Sequence, residues 1–197
     1  MRIIAGRHRG RALRVPRAAA ALRPSSDRLR QAVFNILDHR GNDLAYAGEP
    51  VVDAFAGTGA YGLEALSRGA AFATFIDHDG AALLGIRRNA AALGESGTVA
   101  MLKLDATRLI SPPRLAATPA ALAFLDPPYE SGLAVAALQG LRTHGWLRVG
   151  AIAVVEVAAR EPFSPPPGYT PVDERTHGAG RIIIVRLLGE QAAGPAQ

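Results

Sequence analysis

From residue 50 onward, short apolar runs alternate with stretches of helical periodicity, and that rhythm constrains the fold more than any other feature of the chain. Strand-like runs fall at 51–55, 72–76, 99–104, 121–125 and 151–157, with helical patterns at 60–67, 80–93 and 133–143. Apolar strands separated by helices predict a parallel sheet covered on both faces. After the proline-rich break at 165–167 the rhythm changes. Runs at 170–175 and 181–188 flank His177-Gly178-Ala179-Gly180, which reads as an antiparallel hairpin closing the sheet edge. With 197 residues and 49% hydrophobic content, the chain fits one domain, or one domain with a small appendage.

The first strand runs into Asp53-Ala54-Phe55-Ala56-Gly57-Thr58-Gly59-Ala60-Tyr61-Gly62. Glycines at 57, 59 and 62 give G-x-G-x-x-G between a strand and a helix, where the chain turns sharply and lets a ligand approach its backbone. Asp77 follows Gly57 by 20 residues and ends the second strand, the position from which a carboxylate accepts hydrogen bonds from ribose hydroxyls. An adenosine-type cofactor is therefore expected across the strand ends. Asp53 favours S-adenosylmethionine over a dinucleotide, because an acid faces the ammonium of a methionine moiety but repels a pyrophosphate. Asp105, just after the third strand, is placed for an adenine amino group. Aspartates at strand ends also cap loops, and both roles stay open for Asp53 and Asp105.

The fourth strand ends in Leu125-Asp126-Pro127-Pro128-Tyr129. Two prolines fix their φ angles and contribute no N–H, which leaves the Asp126 carboxylate and the Pro127 carbonyl as rigid acceptors. Tyr129 offers a flat surface for a base. Two acceptors and a platform suit an exocyclic amine, whose lone pair is delocalised into its ring and must be localised before it attacks. The sulfonium is already activated, so alignment is the main task, and no metal is expected.

Charge is distributed unevenly. Residues 1–30 hold nine arginines against the single acid Asp27, a net +8, whereas the other 167 residues carry 13 bases and 16 acids, a net −3. Of 22 bases, 21 are arginine, whose planar fork suits phosphate and stacks on bases. Apolar residues at 2–5 and 12–15 around Gly6-Arg7-His8-Arg9-Gly10 predict a β-hairpin with a basic tip. Ser26-Asp27 then caps a helix carrying Leu29, Val33, Ile36 and Leu37 on one face. Residues 41–49 read as a linker. With no cysteine, no secretory signal pattern after Met1 and no apolar stretch near the ~20 residues of a membrane span, the expectation is a cytoplasmic protein. Histidines 8, 39, 78, 144 and 177 are expected on surfaces or in turns, with His78 beside the cofactor, and Trp146 in the core.

These segments carry a resemblance. Arg2-Ile3-Ile4-Ala5-Gly6 with Arg9-Gly10-Arg11, the stretch Arg23-Pro24-Ser25-Ser26-Asp27-Arg28-Leu29-Arg30, the loop through Gly62 with Leu63-Glu64-Ala65-Leu66-Ser67-Arg68-Gly69, and Asp126 to Tyr129 resemble the RsmD family of bacterial 16S rRNA guanine-N2 methyltransferases. The family often has glutamate where Asp77 and Gln31 stand here. The resemblance implies an α/β, Rossmann-like class I methyltransferase fold: a seven-stranded, mostly parallel sheet with a C-terminal antiparallel hairpin, plus an N-terminal β-hairpin extension. Expected boundaries are a basic arm at 1–22, the methyltransferase domain at 23–189 and a disordered tail at 190–197. The expected cofactor residues are Asp53, Phe55, Gly57, Thr58, Gly59, Asp77, His78, Asp105 and Ala106, with Asp126, Pro127 and Tyr129 catalytic. Arg2, Arg7, Arg9, Arg11, Arg14, Arg23 and Arg28 are expected to meet RNA. The implied substrate is one guanine amine of 16S rRNA, within an assembling small ribosomal subunit, and the enzyme is expected to be a monomer. An adenine-N6 DNA methyltransferase is the alternative, since the tetrapeptide serves both amines; 197 residues leave little room for a DNA-reading domain. A nicotinamide-dependent reductase has no use for the tetrapeptide, and a non-catalytic RNA binder has none for acids at 53, 77, 105 and 126.

Overall fold

A computed structural model describes residues 1–14, 27–39 and 46–189. Arg23, most of the expected linker and the tail at 190–197 lie outside the described residues. After a 3₁₀ turn at Gly6–His8 come α1 (Asp27–His39), β1 (Pro50–Ala54), α2 (Ala60–Ser67), β2 (Phe72–Asp77), α3 (Gly80–Leu93), β3 (Val99–Lys103) and β4 (Ala120–Leu125). Then follow α4 (Leu133–Thr143), β5 (Leu147–Ala158), β6 (Tyr169–His177) and β7 (Gly180–Leu187). The seven strands form one sheet in the order β3-β2-β1-β4-β5-β7-β6. β1 to β5 run parallel, and β7 pairs antiparallel with both β5 and β6. The C-terminal hairpin thus extends the sheet by inserting β7 between β5 and the edge strand β6.

Strand alternation divides the core. Val51, Phe75, Phe124 and Val154 face α1, α2 and α3, while Val52, Ile76, Leu125 and Val155 face α4. Trp146 is fully buried on the α4 side, with its indole N–H donating to the Ile110 carbonyl at 2.8 Å. Gly62 lets α2 lie close on the sheet, since a Cβ there would stand 2.4 Å from the Phe75 ring.

The N-terminal segment forms the expected small hairpin. Arg2 and Ala12 pair antiparallel, flanked by the Ile3 N–H donating to the Arg11 carbonyl at 2.9 Å and the Leu13 N–H donating to the Met1 carbonyl at 3.2 Å, and the basic tip is the 3₁₀ turn. Packing on the domain adds to this short pairing. Ile3 and Leu13 are buried in the core, and the N–H groups of Ile4 and Ala5 donate to the two carboxylate oxygens of Glu64 at 2.8 and 2.9 Å. Ser67 accepts from the His8 N–H and donates to the Ala5 carbonyl. Gly6 has φ +77°, and a Cβ on it would lie 1.9 Å from the Ser67 carbonyl oxygen, so only glycine fits. On α3, Arg11 donates to the Ala92 carbonyl at 2.6 Å, and Asn89 bonds the backbone of Arg14.

Glu64 is the joint of this arrangement. It is fully buried, and beyond the two N–H groups it takes Arg68 Nε at 2.8 Å, with Arg30 Nε 3.7 Å away. Glu64→Ala strands two buried N–H groups and leaves Arg30 short of a counter-charge, so urea denaturation should show a loss of about 3–5 kcal/mol. Unchanged stability would mean that the N-terminal segment is held by apolar packing alone.

Candidate active site

Parallel strands bring their carboxyl ends to one rim, and the loops beyond them build the site. After β1 the chain turns through Phe55 to Gly59, with Phe55 at φ 59°, Gly57 at 50° and Gly59 at 72°. Asp77 holds this loop to β2: one carboxylate oxygen accepts the Gly57 N–H at 2.8 Å, and the other accepts the Asp79 N–H at 2.8 Å. His78 is exposed, with Nδ1 3.5 Å from Asp77.

A cleft of about 290 Å³ opens here. It gathers Phe55, Asp77, His78, Asp105 and Ala106, with Pro128 on its far wall. Five of the nine expected cofactor residues thus line one cavity. Asp105 accepts from the hydroxyl and the N–H of Thr107, and those bonds hold its carboxyl below the usual range. Gly57 joins through Asp77, whereas Gly59 is buried in the turn and the Thr58 hydroxyl meets Met1 Sδ at 3.4 Å.

Asp53 takes the capping role left open above. Strand parity turns it toward α2, where it is 2% exposed and accepts the Gly62 N–H at 2.9 Å. Burial pushes its carboxyl well above the ordinary range; the Gly62 bond opposes this, and the charges of Asp126 and Asp77 add to it. These acids therefore sit close enough to disfavour one another. A cationic ligand between them relieves that repulsion, which is the property a sulfonium and an ammonium bring. The acids, the left-handed glycine loop and the cleft together fit S-adenosylmethionine.

At the end of β4, Pro127 is buried and Pro128 exposed, and Tyr129 is 38% exposed. The Tyr129 hydroxyl donates to Glu156 Oε1 at 2.8 Å, and Tyr61 donates to Oε2 at 3.1 Å. Sequence reasoning missed Glu156. The signal was present as a lone acid inside the apolar run 151–157 of β5. Burial, followed by the charge of Asp126, raises its carboxyl to about 7 against the pull of the two tyrosines. Among the described residues, no cluster of His, Asp or Glu is suited to a metal ion.

The arginines separate into two groups. Arg2, Arg9 and Arg28 line a groove of about 520 Å³ between the N-terminal segment and α1, with Asp27 and Gln31. Arg7 and Arg11 turn instead to the far end of α3, where Arg7 pairs with Glu95 at 2.7 Å beside His8. Arg14 is exposed.

Comparison with known proteins agrees with this fold. The family model described as "Conserved hypothetical protein 95" matches residues 1–186. "Ribosomal RNA small subunit methyltransferase D" of Escherichia coli K12 is 38% identical over 194 residues, covering 98% of this chain and 92% of that protein. The same-named protein of Haemophilus influenzae is 33% identical, covering 95% and 92%. The solved structure titled "Putative methyltransferase yhhF from Escherichia coli" superposes with a TM-score of 0.80 at 32% identity, covering 95% of this chain and 98% of that one. With a class I methyltransferase sheet, the glycine loop and the Asp-Pro-Pro-Tyr end of β4 in place, the chain belongs to the ribosomal RNA small subunit methyltransferase D family.

Proposed function

We propose that this chain methylates the exocyclic N2 amine of one guanine in 16S rRNA, with S-adenosylmethionine as methyl donor. The observation that carries the reading is the Asp126-Pro127-Pro128-Tyr129 turn, whose Pro128 walls the same cleft as Asp77 and Asp105. The family relatives are named for small-subunit rRNA over 92% of their own length, which favours rRNA over the adenine-N6 DNA alternative.

The donor supplies an activated methyl group, so the protein's task is orientation. Asp77 is assigned to the ribose hydroxyls, Asp105 to the adenine amine, and Phe55, His78 and Ala106 to the walls. A guanine within folded RNA reaches the donor only after it is unstacked and extruded. Asp126 and the Pro127 carbonyl then accept from the two amine hydrogens, and the Tyr129 ring stacks on the base. Arg2, Arg9 and Arg28 hold phosphates along their groove.

Asp77→Asn keeps the side chain's size but gives up one charged acceptor, so calorimetry should show S-adenosylmethionine binding at least about tenfold weaker. Unchanged affinity would remove the ribose assignment.

Asp126→Ala deletes an acceptor used fully only as nitrogen attacks. Single-turnover methylation of small-subunit particles should slow by about a hundredfold or more while cofactor affinity holds. A near-normal rate would overturn the amine assignment.

Arg2→Ala, Arg9→Ala and Arg28→Ala should each flatten the slope of log RNA affinity against log salt by about 0.7–0.9. Arg7→Ala should change it less, because Glu95 already neutralises Arg7. Equal effects at all four positions would dissolve the distinction between groove and α3 arginines.

A further inference from the structure

Glu156 is 3% exposed in a strand whose other central residues are apolar. Parity places it on the same face as Ile152 and Val154, toward α1 and α2. Its Oε2 accepts from Tyr61, a fully buried ring stacked on Phe124 at 5.0 Å and 17°. Its Oε1 accepts from Tyr129, whose ring is more than a third exposed. One oxygen is therefore tied to the buried core, and the other reaches the exposed end of the Asp-Pro-Pro-Tyr turn. Gly180 closes the third side: a Cβ there would stand 2.9 Å from the Tyr129 hydroxyl and 3.7 Å from Glu156 Oε1.

We propose that Glu156 is a positioning residue that fixes the Tyr129 ring as the surface on which the substrate base stacks, with Tyr61 and Gly180 completing the clamp. This rests on the reading of Tyr129 as the stacking platform. A purely structural role accounts poorly for an acid here, because apolar packing stabilises a buried strand without the desolvation penalty. The carboxylate form is needed to serve both hydroxyls. Once protonated, one oxygen carries its own hydrogen, and the geometry that accepts from both phenols is lost. The groups facing it are Tyr61 from α2, Tyr129 and Asp126 from the end of β4, and, acting through Tyr61, Arg30 from α1. With its carboxyl raised to about 7, Glu156 keeps its proton in the folded state at pH values where the unfolded chain releases it. Its contribution to stability therefore falls as pH rises from the ordinary carboxylate range through about 7, while clamping improves over the upper part of that window.

The test uses the full chain with S-adenosylmethionine and small-subunit particles. Glu156→Gln and Tyr129→Phe should each lower turnover by about tenfold with cofactor affinity unchanged, and the double variant should be no worse than either single one. The rise of wild-type turnover through about pH 7 should disappear in Glu156→Gln. In the protein without RNA, the Tyr129 ring resonance should shift and broaden in Glu156→Gln and in Gly180→Ala. Wild-type turnover in Glu156→Gln, additive losses of about a hundredfold in the double variant, or an unmoved Tyr129 resonance would overturn the clamp. If Glu156→Gln fails to fold, Tyr129→Phe must show the same loss of the pH limb, and a retained limb overturns the proposal. If the wild-type protein transfers no methyl group to rRNA, the proposed function falls, and the Tyr129 resonance still decides the clamp.

Discussion

The carboxylate of Glu64 fastens three separated parts of the chain at one buried point. It takes the N–H groups of Ile4 and Ala5, the Nε of Arg68 at the end of its own helix, and the field of Arg30 from α1. Arg68 carries the connection onward to Asp38 and lies over the Phe34 ring at 4.6 Å. In a low-dielectric interior these charge-assisted bonds are strong, and they hold the cluster although Arg30 Nε and Nη1 and Arg68 Nη2 make no hydrogen bond. Glu64 sits on α2, and α2 begins at the glycine loop. Whatever fixes the axis of α2 therefore fixes where the loop meets the cofactor cleft.

The same helix explains the arrangement of acids. Asp53, Asp77 and Glu156 end or interrupt their strands at positions whose parity turns them toward the α2 face, and Asp126 follows β4 on the same rim. Each is a liability alone: burial and mutual repulsion raise Asp53 and Glu156. Each is also held: Asp53 by Gly62, Asp77 by Gly57 and Asp79, Glu156 by two tyrosines. Sites of this kind sacrifice stability for preorganised charge. On the proposed reading, a positively charged cofactor restores part of what repulsion removes, which couples binding to folding through these acids.

The sheet was legible because its signals are local. Strand runs at 51–55, 72–76 and 121–125 differ from β1, β2 and β4 by a residue at most, and the helix at 133–143 coincides with α4. Asp77 could be found because its spacing from a glycine loop is set by one βαβ unit. Three features depend on contacts distant in sequence. The N-terminal hairpin is seated on the domain by Gly6 fitted against Ser67, 61 positions away, and no pattern around Gly6 encodes that. The orientation of Asp53 follows from strand parity against α2, which the motif spacing does not report. Glu156 gains its meaning only when Tyr61 and Tyr129 converge on it from two other elements.

Charge placement adds a constraint on how a polyanion can approach. The rim of the strands is acidic, so phosphates are repelled from the place where a base has to enter. Arg2, Arg9 and Arg28 line the groove beside α1, which borders that rim: Met1 meets Thr58 of the glycine loop, and Leu29 and the Tyr129 hydroxyl both flank Gly180. Arg7 and Arg30 are occupied within the fold, by Glu95 in one case and by Asp27 and the Arg2 carbonyl in the other. Among the described N-terminal arginines the usable positive charge is thus smaller than the sequence count suggests, and Arg2, Arg9 and Arg28 place part of it along one track. On the proposed reading, that contrast of charge makes the acids selective as well as reactive. The backbone of the RNA is held in the groove by arginine, and what crosses into the neighbouring acidic site is an uncharged base, the part of the substrate that carries the amine.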